Sequence, residues 1–229
     1  MLLTDYKWFD AQSVSAGNPN LIVRRLGLQE YEPIWKCMRY LSEKPKTDRC
    51  DEIWMLSHKP VFTQGQAGNE KHLLNTGDIP VLQIDRGGQV TYHGPGQLVG
   101  YILIDVKRRK MGVRTLVDVL EKAMLGALSH YGIEAQTRPK APGVYVKNAK
   151  IGALGLRIKN GWSYHGLSLN VDMDLTPFSQ INPCGFENLP ITQIADHVKG
   201  IDFLIQDVSK VLSNKLLSEL GYNEYYDLS

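Results

Sequence analysis

Cysteine is scarce in this chain of 229 residues: Cys37, Cys50 and Cys184 make three, an odd number, and no pair has C-x-x-C spacing. That argues against a disulfide framework and against a cysteine-based zinc site, and for a reducing compartment. A strong charge of either sign is also missing. Lysine and arginine number 26 against 24 aspartates and glutamates, so composition offers no polyelectrolyte reason to bind nucleic acid. No window approaches the ~20 apolar residues of a membrane span. The opening MLLTDYKWFD has neither the basic start nor the apolar stretch of a secretory signal. A cytoplasmic protein with no membrane partner is the expectation. The hydrophobic share of 43% and charged share of 22% are ordinary, and the length suits one domain over residues 1–229 with its core at about 21–220.

Against that plain background one stretch stands out, RGGQVTYHGPGQ at residues 86–97. Its five glycines and prolines would suit a linker, but they alternate with Arg86, Gln89, Thr91, Tyr92, His93 and Gln97. Residues 79–85 (IPVLQID) read as a short strand before it, and residues 98–106 (LVGYILIDV) as a buried strand after it. A glycine-rich turn between strands lets a ligand approach the backbone with no Cβ in the way. Convergent polar side chains are what a pocket gathers, so this is a candidate ligand loop. The basic run at 107–110 (KRRK) reads as a solvated loop, with a docking patch for an acidic protein as the alternative.

The remaining elements form a mixed α/β order. Residues 21–26 read as a strand, and 31–41 as a helix with Tyr31, Ile34, Trp35, Met38 and Leu41 on one face and Cys37 inside it. Residues 53–56 make another strand, followed by a loop in which His58 is expected to be exposed. Residues 115–131 carry the clearest helical stripe, with Thr115 and Asp118 placed as a capping box and Gly132 as the terminating glycine. A last helix is expected at about 205–220, ended by Gly221. Such an order suggests one α/β domain around a mixed sheet.

Asn160-Gly161 is a two-residue hairpin signal between strands at 150–158 and 163–171. With that turn, paired residue numbers sum to 321, so Gly155 faces Gly166 and Ala153 faces Ser168. One face of the hairpin is therefore stripped of large side chains, and a backbone or a ligand should lie on it. The other face carries Leu154, Leu156, Leu167, Leu169 and Val171, and parity puts His165 with them as a hydrogen-bonded core histidine. Strict alternation would also send Lys150 into the core. Either the strand becomes regular only after Lys150, or a bulge at Gly152 turns it outward.

Asn182 to Gly185, NPCG, sets Cys184 in a turn between proline and glycine. A free thiol is only partly ionised at neutral pH, so a nucleophilic role needs a cation from elsewhere in the chain, with Lys150 and His93 as candidates.

Four strings, RGGQVTYHGPGQ, APGVYV with AKIGALGLRI, YHGLSLNV and INPCG, stand in the order and spacing of the lipoyl(octanoyl) transferases. The chain resembles that family from about residue 21 to residue 194. The resemblance implies a fold similar to biotin and lipoate protein ligases: a single α/β (α+β) domain with a central mixed sheet flanked by helices. It implies a transferase that moves an octanoyl or lipoyl group from acyl carrier protein to a lysine of a lipoyl domain. By the resemblance Cys184 is the nucleophile that carries the acyl group as a thioester, and Lys150 supports the thiolate and handles protons. Arg86, Gly87, Gly88, Gln89, Val90, Thr91, Tyr92 and His93 would bind the acyl substrate, together with Ala153, Leu154 and Gly155 and with Gly166, Leu167 and Ser168. No cofactor and no metal are implied. The implied partners are acyl carrier protein and the lipoyl domains of 2-oxoacid dehydrogenase complexes and glycine cleavage H protein, and a monomer is expected. Backbone N–H groups at 152–154 would form the oxyanion hole. The rival readings are an ATP-dependent lipoate or biotin ligase, which needs no thiol nucleophile, and a non-catalytic module that holds acyl carrier protein.

Overall fold

The computed structural model describes residues 21–44, 50–199 and 204–228; the opening decapeptide lies outside them. Its frame is an eight-stranded mixed sheet of β1 (Leu21–Gln29), β2 (Asp51–His58), β6 (Gln97–Leu103), β7 (Gln136–Thr137), β8 (Val144–Val146), β9 (Ala149–Lys159), β10 (Trp162–Asn170) and β11 (Tyr226–Leu228). The strand order is β11-β1-β2-β6-β10-β9-β8-β7. Three short strands, β3 (Val61–Gln64), β4 (Val81–Gln83) and β5 (Val90–His93), form a second sheet in the order β4-β3-β5.

Period-two alternation sends neighbouring residues of the central strands to opposite layers. Ile53, Met55, Leu98, Ile102, Leu167 and Leu169 pack against helices α2 (Val113–His130) and α3 (Ile205–Leu220). Their neighbours Trp54, Leu56, Val99, Tyr101, Leu103 and Tyr164 pack against α1 (Tyr31–Glu43) through Ile34, Cys37, Met38 and Leu41. Both faces of the sheet are thus covered, as its long apolar strands require. Each fully buried leucine or isoleucine contributes about 1.5–3 kcal/mol. Both α2 and α3 end on left-handed glycines, Gly132 and Gly221. The bonds from Ile133 N–H to Leu128 O and from Tyr222 N–H to Leu217 O close the last turns. The expected capping box at Thr115 and Asp118 does not form. The helix begins two residues earlier at Val113 with Gly112 as N-cap, and Asp118 instead pairs with Arg114 one turn back.

The hairpin has the register read from its turn: Gly155 pairs with Gly166 and Ala153 with Ser168, and Asn160 and Gly161 both take positive φ. The loop expected after residues 53–56 is shorter than its composition suggests, because Val61–Gln64 is strand β3 and β2 runs on through His58. Among the described residues no helix is long and apolar enough to cross a membrane.

Candidate active site

A cavity of about 430 Å³ lies on the α1 face of the main sheet, beneath the glycine-rich segment at residues 86–93. Its wall follows from the hairpin. Gly155 and Gly166 leave the sheet bare, and the backbone of the glycine-rich segment fills part of that space. Gly87 N–H donates to Leu156 O at 3.0 Å, and a Cβ placed on Gly155 would stand 3.0 Å from Gly87 O. Arg86 fixes the segment from below, donating to Thr63 O at 2.6 Å, Thr63 Oγ1 at 3.0 Å and Gly87 O at 2.9 Å. The two coverings expected of the bare face thus coexist, a backbone over Gly155 and open cavity beside Ala153 and Ser168.

The cavity brings together Cys184, Lys150, Arg86, Gly87, Gly88, Gln89, Val90, Thr91, His93, Ala153, Leu154, Gly155, Gly166, Leu167 and Ser168. Tyr92 does not line it. Alternation along β5 turns that ring to the other side, where it packs against Phe62 and Phe178.

Lys150 reaches the site through a bulge. The β8–β9 register shifts so that Val144 pairs with Gly152 but Tyr145 with Lys150, and the extra residue, Ile151, takes the core position. Lys150 is thereby released to the opposite face. Its backbone is held on both sides, N–H to Pro190 O at 2.8 Å and O from Thr192 N–H at 3.0 Å. Its Nζ donates to Pro142 O at 3.0 Å and lies 3.1 Å from Cys184 Sγ. Gly143 makes room for it: φ is +126°, and a Cβ there would stand 3.0 Å from Lys150 Cε. Burial pulls the Lys150 ammonium towards losing its proton, but the Cys184 sulfur and the Tyr145 hydroxyl outweigh burial and hold its pKa above the ordinary value.

Cys184 occupies a strained turn, with φ 58° and ψ 16°. A left-handed conformation costs a non-glycine residue about 1–2 kcal/mol. Gly185 N–H donates to Asn182 O at 2.9 Å and Phe186 N–H to Pro183 O at 3.1 Å. Behind the turn, Asn182 N–H donates to His72 O at 2.9 Å. The other two cysteines are chemically quiet, because burial pushes the thiols of Cys37 and Cys50 up to about 12.

Several contributors escaped the sequence reading. His58, expected on an exposed loop, is fully buried at the end of β2, with Nε2 2.7 Å from Tyr101 Oη and its ring 4.7 Å from that of Tyr31. Burial lowers its pKa to about 4, and burial with the neighbouring His58 lowers that of His93 to about 3; both are neutral at physiological pH. His165 is buried and hydrogen-bonded as expected, but not among the leucines. Its φ of +60° breaks the alternation, so that it reaches the same carboxylate as its neighbour Tyr164. That carboxylate, Asp85, also accepts from Trp35 Nε1 at 2.7 Å. Burial would raise the Asp85 pKa, but donation from His165, Tyr164 and Trp35 holds it well below the usual carboxylate range. The basic run at 107–110 is a turn in which Arg108 pairs with Asp51 and Arg109 donates to Leu220 O, while Lys107 and Lys110 are exposed. Lys107 N–H bonds Gly161 O, at the hairpin turn and hence at the far end of β9 from Lys150.

Residues 30–217 match the family described as the lipoyl protein ligase A/B catalytic domain. The chain is 55% identical to an octanoyltransferase of Stutzerimonas stutzeri over 90% of its own length and 94% of that protein's. It is 54% identical to one of Vibrio cholerae over 89% and 93%. The chain belongs to the octanoyltransferase family. It is an acyltransferase that moves octanoyl groups in protein lipoylation. Its fold is that of the lipoate protein ligases. A bi-partite lipoate protein ligase of Thermoplasma acidophilum superposes with a TM-score of 0.71 at 15% identity, covering 92% of this chain and 88% of that one. For an octanoyltransferase, a half-buried thiol beside an ammonium at the wall of a mostly apolar cavity is a suitable site for acyl chemistry.

Proposed function

We propose that this octanoyltransferase works through an acyl-cysteine intermediate, with acyl carrier protein as donor and a lysine of a lipoyl domain as acceptor. The observation that carries the proposal is the 3.1 Å approach of Lys150 Nζ to Cys184 Sγ at the cavity wall. In the first half-reaction the Cys184 thiolate attacks the thioester carbonyl of the octanoyl group on the carrier's phosphopantetheine. The phosphopantetheine thiolate leaves and takes its proton from the Lys150 ammonium, and an octanoyl thioester forms on Cys184. One thioester replaces another, so the exchange is nearly isoenergetic and needs neither ATP nor a cofactor. In the second half-reaction the acceptor amine attacks that thioester, an amide forms, and the Cys184 thiolate departs.

Lys150 links the halves. While the sulfur carries negative charge, it keeps the ammonium protonated against the pull of burial. Acylation removes that charge, burial then dominates, and the amine of Lys150 becomes able to accept a proton from the attacking acceptor lysine. The edge of β9 suits the developing oxyanion. In the register set by the Asn160-Gly161 turn, the odd residues of β9 turn their backbone bonds towards β10 and the even ones turn theirs away, which leaves the N–H of Leu154 on the open edge beside the cavity.

The acceptors on this account are the lipoyl domains of 2-oxoacid dehydrogenase complexes and glycine cleavage H protein. The chain acts as a monomer and a single catalytic domain in the cytoplasm. An ATP-dependent ligase shares the fold but leaves Cys184 without a task. The test is transfer from octanoyl-acyl carrier protein to an isolated lipoyl domain without ATP. Amide formation on one lysine, abolished by Cys184→Ala, is expected; dependence on ATP, or full activity of Cys184→Ala, contradicts the proposal.

A further inference from the structure

Lys150 and Cys184 depend on one stretch of chain. The segment that brackets the Lys150 backbone, Pro190 to Thr192, follows Cys184 on the connection that leaves β10. It meets Lys150 through an isolated parallel bridge between Lys150 and Ile191. One bridge supplies only two hydrogen bonds, so the distance from Nζ to the sulfur depends on what fixes the bridge.

Apart from Lys150 itself, Asn170 is the sheet residue that holds Thr192. Asn170 ends β10, is 5% exposed, and donates from Nδ2 to Thr192 O at 3.0 Å. The bonds of Thr192 Oγ1, with Asp196 and His197, are local and fold the segment on itself. Asn170 is in turn oriented by Gln97, its opposite residue on β6, whose Nε2 donates to Asn170 Oδ1 at 2.9 Å. Gln97 Nε2 also donates to Tyr92 O at 3.2 Å, and its Oε1 accepts the proton of His93 Nδ1 at 2.7 Å. Thr192 O and Tyr92 O can only accept, so the direction of every bond in this chain is set. Position 170 therefore needs a donor towards Thr192 and an acceptor towards Gln97 on one short side chain. An amide supplies both and a carboxylate does not.

Asn170 does not line the acyl cavity. With Lys150 and Cys184 it lines a separate chamber of about 10 Å³, too small for an acyl group. It stands beside the reacting pair and away from the acyl chain.

We propose that Asn170 is a positioning residue for the Lys150–Cys184 pair, acting through Thr192 and the Lys150 backbone. The proposal rests on the acyl-cysteine reading above. Without the Asn170 amide, Thr192 O is left buried and unpaired, and the bracket moves to find it a partner, taking Lys150 with it. Attraction between the ammonium and the sulfur is steep in distance. A retreat of about 1 Å from 3.1 Å, at an effective dielectric of about 20, cuts the thiolate share at neutral pH by about five- to tenfold.

The test compares wild type with Asn170→Leu, which is close in size and lacks the amide, and with Gln193→Ala. Gln193 holds the same segment, accepting from Met173 N–H at 2.7 Å, but its side chain bonds neither Thr192 nor Lys150. The readouts are iodoacetamide alkylation of Cys184 at neutral pH without substrate, and kcat and KM for octanoyl transfer from acyl carrier protein. In Asn170→Leu, alkylation should slow by about five- to tenfold. Its kcat should fall by about 10²-fold, with KM unchanged because the acyl cavity is untouched. Gln193→Ala should stay within about twofold of wild type. The sign separates positioning from loosening, because a merely slacker turn would bare the thiol and speed its alkylation. Alkylation of Asn170→Leu at or above the wild-type rate, or an equal slowing in Gln193→Ala, overturns the proposal. Should Asn170→Leu fail to fold, Asn170→Asp keeps the shape and the bond from Gln97 and lacks only the donor to Thr192. A fall of about 10²-fold in its kcat at unchanged KM then supports the proposal, and wild-type kcat overturns it. An error in the acyl-cysteine reading shows itself separately: wild type then gains no octanoyl mass, while the alkylation comparison still decides the role of Asn170.

Discussion

Substituting Gly155 by valine should separate the acyl wall from the reacting pair. A Cβ at this position would stand 3.0 Å from Gly87 O and 3.2 Å from Arg86 Cδ, and the valine methyls reach further. The segment above cannot yield freely, because Gln66 N–H holds Arg86 O at 2.9 Å and Ala67 N–H holds Gly88 O at 3.1 Å. Relief therefore breaks the Gly87–Leu156 bond, worth about 1 kcal/mol, and one of the Arg86 bonds to Thr63, worth about 1.5–3 kcal/mol as hydrogen bonds from a charged group. A combined loss of about 2.5–4 kcal/mol lowers Tm by roughly 5–15 °C in a chain of this size. The acyl path narrows at the same point, and misplacement by about 1 Å can cost 10²-fold in rate. Lys150 and Cys184 lie outside the clash, so alkylation of Cys184 by iodoacetamide should proceed at the wild-type rate. Thermal denaturation, alkylation kinetics and octanoylation by intact mass read the three effects. Wild-type octanoylation in a folded but destabilised Gly155→Val protein would refute the claim that the acyl chain lies along this face.

Two further outcomes are expected. Lys150→Arg retains a cation beside the sulfur but removes the group that can accept a proton. Single-turnover mass spectrometry should find Cys184 acylated while transfer to the lipoyl domain slows by about 10²–10⁴-fold; normal transfer would remove the base role. Stability should also fall with acidity because His58 and His93 stay neutral when folded, with pKa values of about 4 and about 3. Unfolded histidines titrate near ~6.5, so below that pH the unfolded chain binds protons that the folded chain does not. The stability is fully present above about pH 6.5 and is lost as pH falls towards the folded values, by up to ~1.4 kcal/mol per unit per histidine. Urea midpoints measured between pH 7 and pH 5 should decline, and His58→Gln should flatten the slope; a flat wild-type profile would contradict the burial of these rings as neutral groups.

The parts of the site that depend on local rules were legible in the sequence. Asn160-Gly161 pins the hairpin because few residues accept two consecutive positive φ values, and period-two alternation then carries the register to the Gly155–Gly166 pair. Pro183 and Gly185 announce a turn at Cys184. The rest depends on contacts distant in sequence. Lys150 faces the site only because Ile151 fills the core and the 190–192 segment takes up its backbone bonds. His165 leaves the leucine face because Asp85, eighty residues earlier, draws its ring. His58 looks like a loop residue until Tyr31 and Tyr101, from two other elements, close over it. Gly143 belongs to the string APGVYV, but its purpose, space for the Lys150 side chain, shows only once the bulge is in place.

The most direct measurement of the central claim is the intact mass of the protein after incubation with octanoyl-acyl carrier protein alone, without ATP or acceptor. A gain of one octanoyl group, labile to hydroxylamine, mapped to Cys184 and absent from Cys184→Ala, is the expected result. An unmodified wild type, or an adduct that persists in Cys184→Ala, would contradict it.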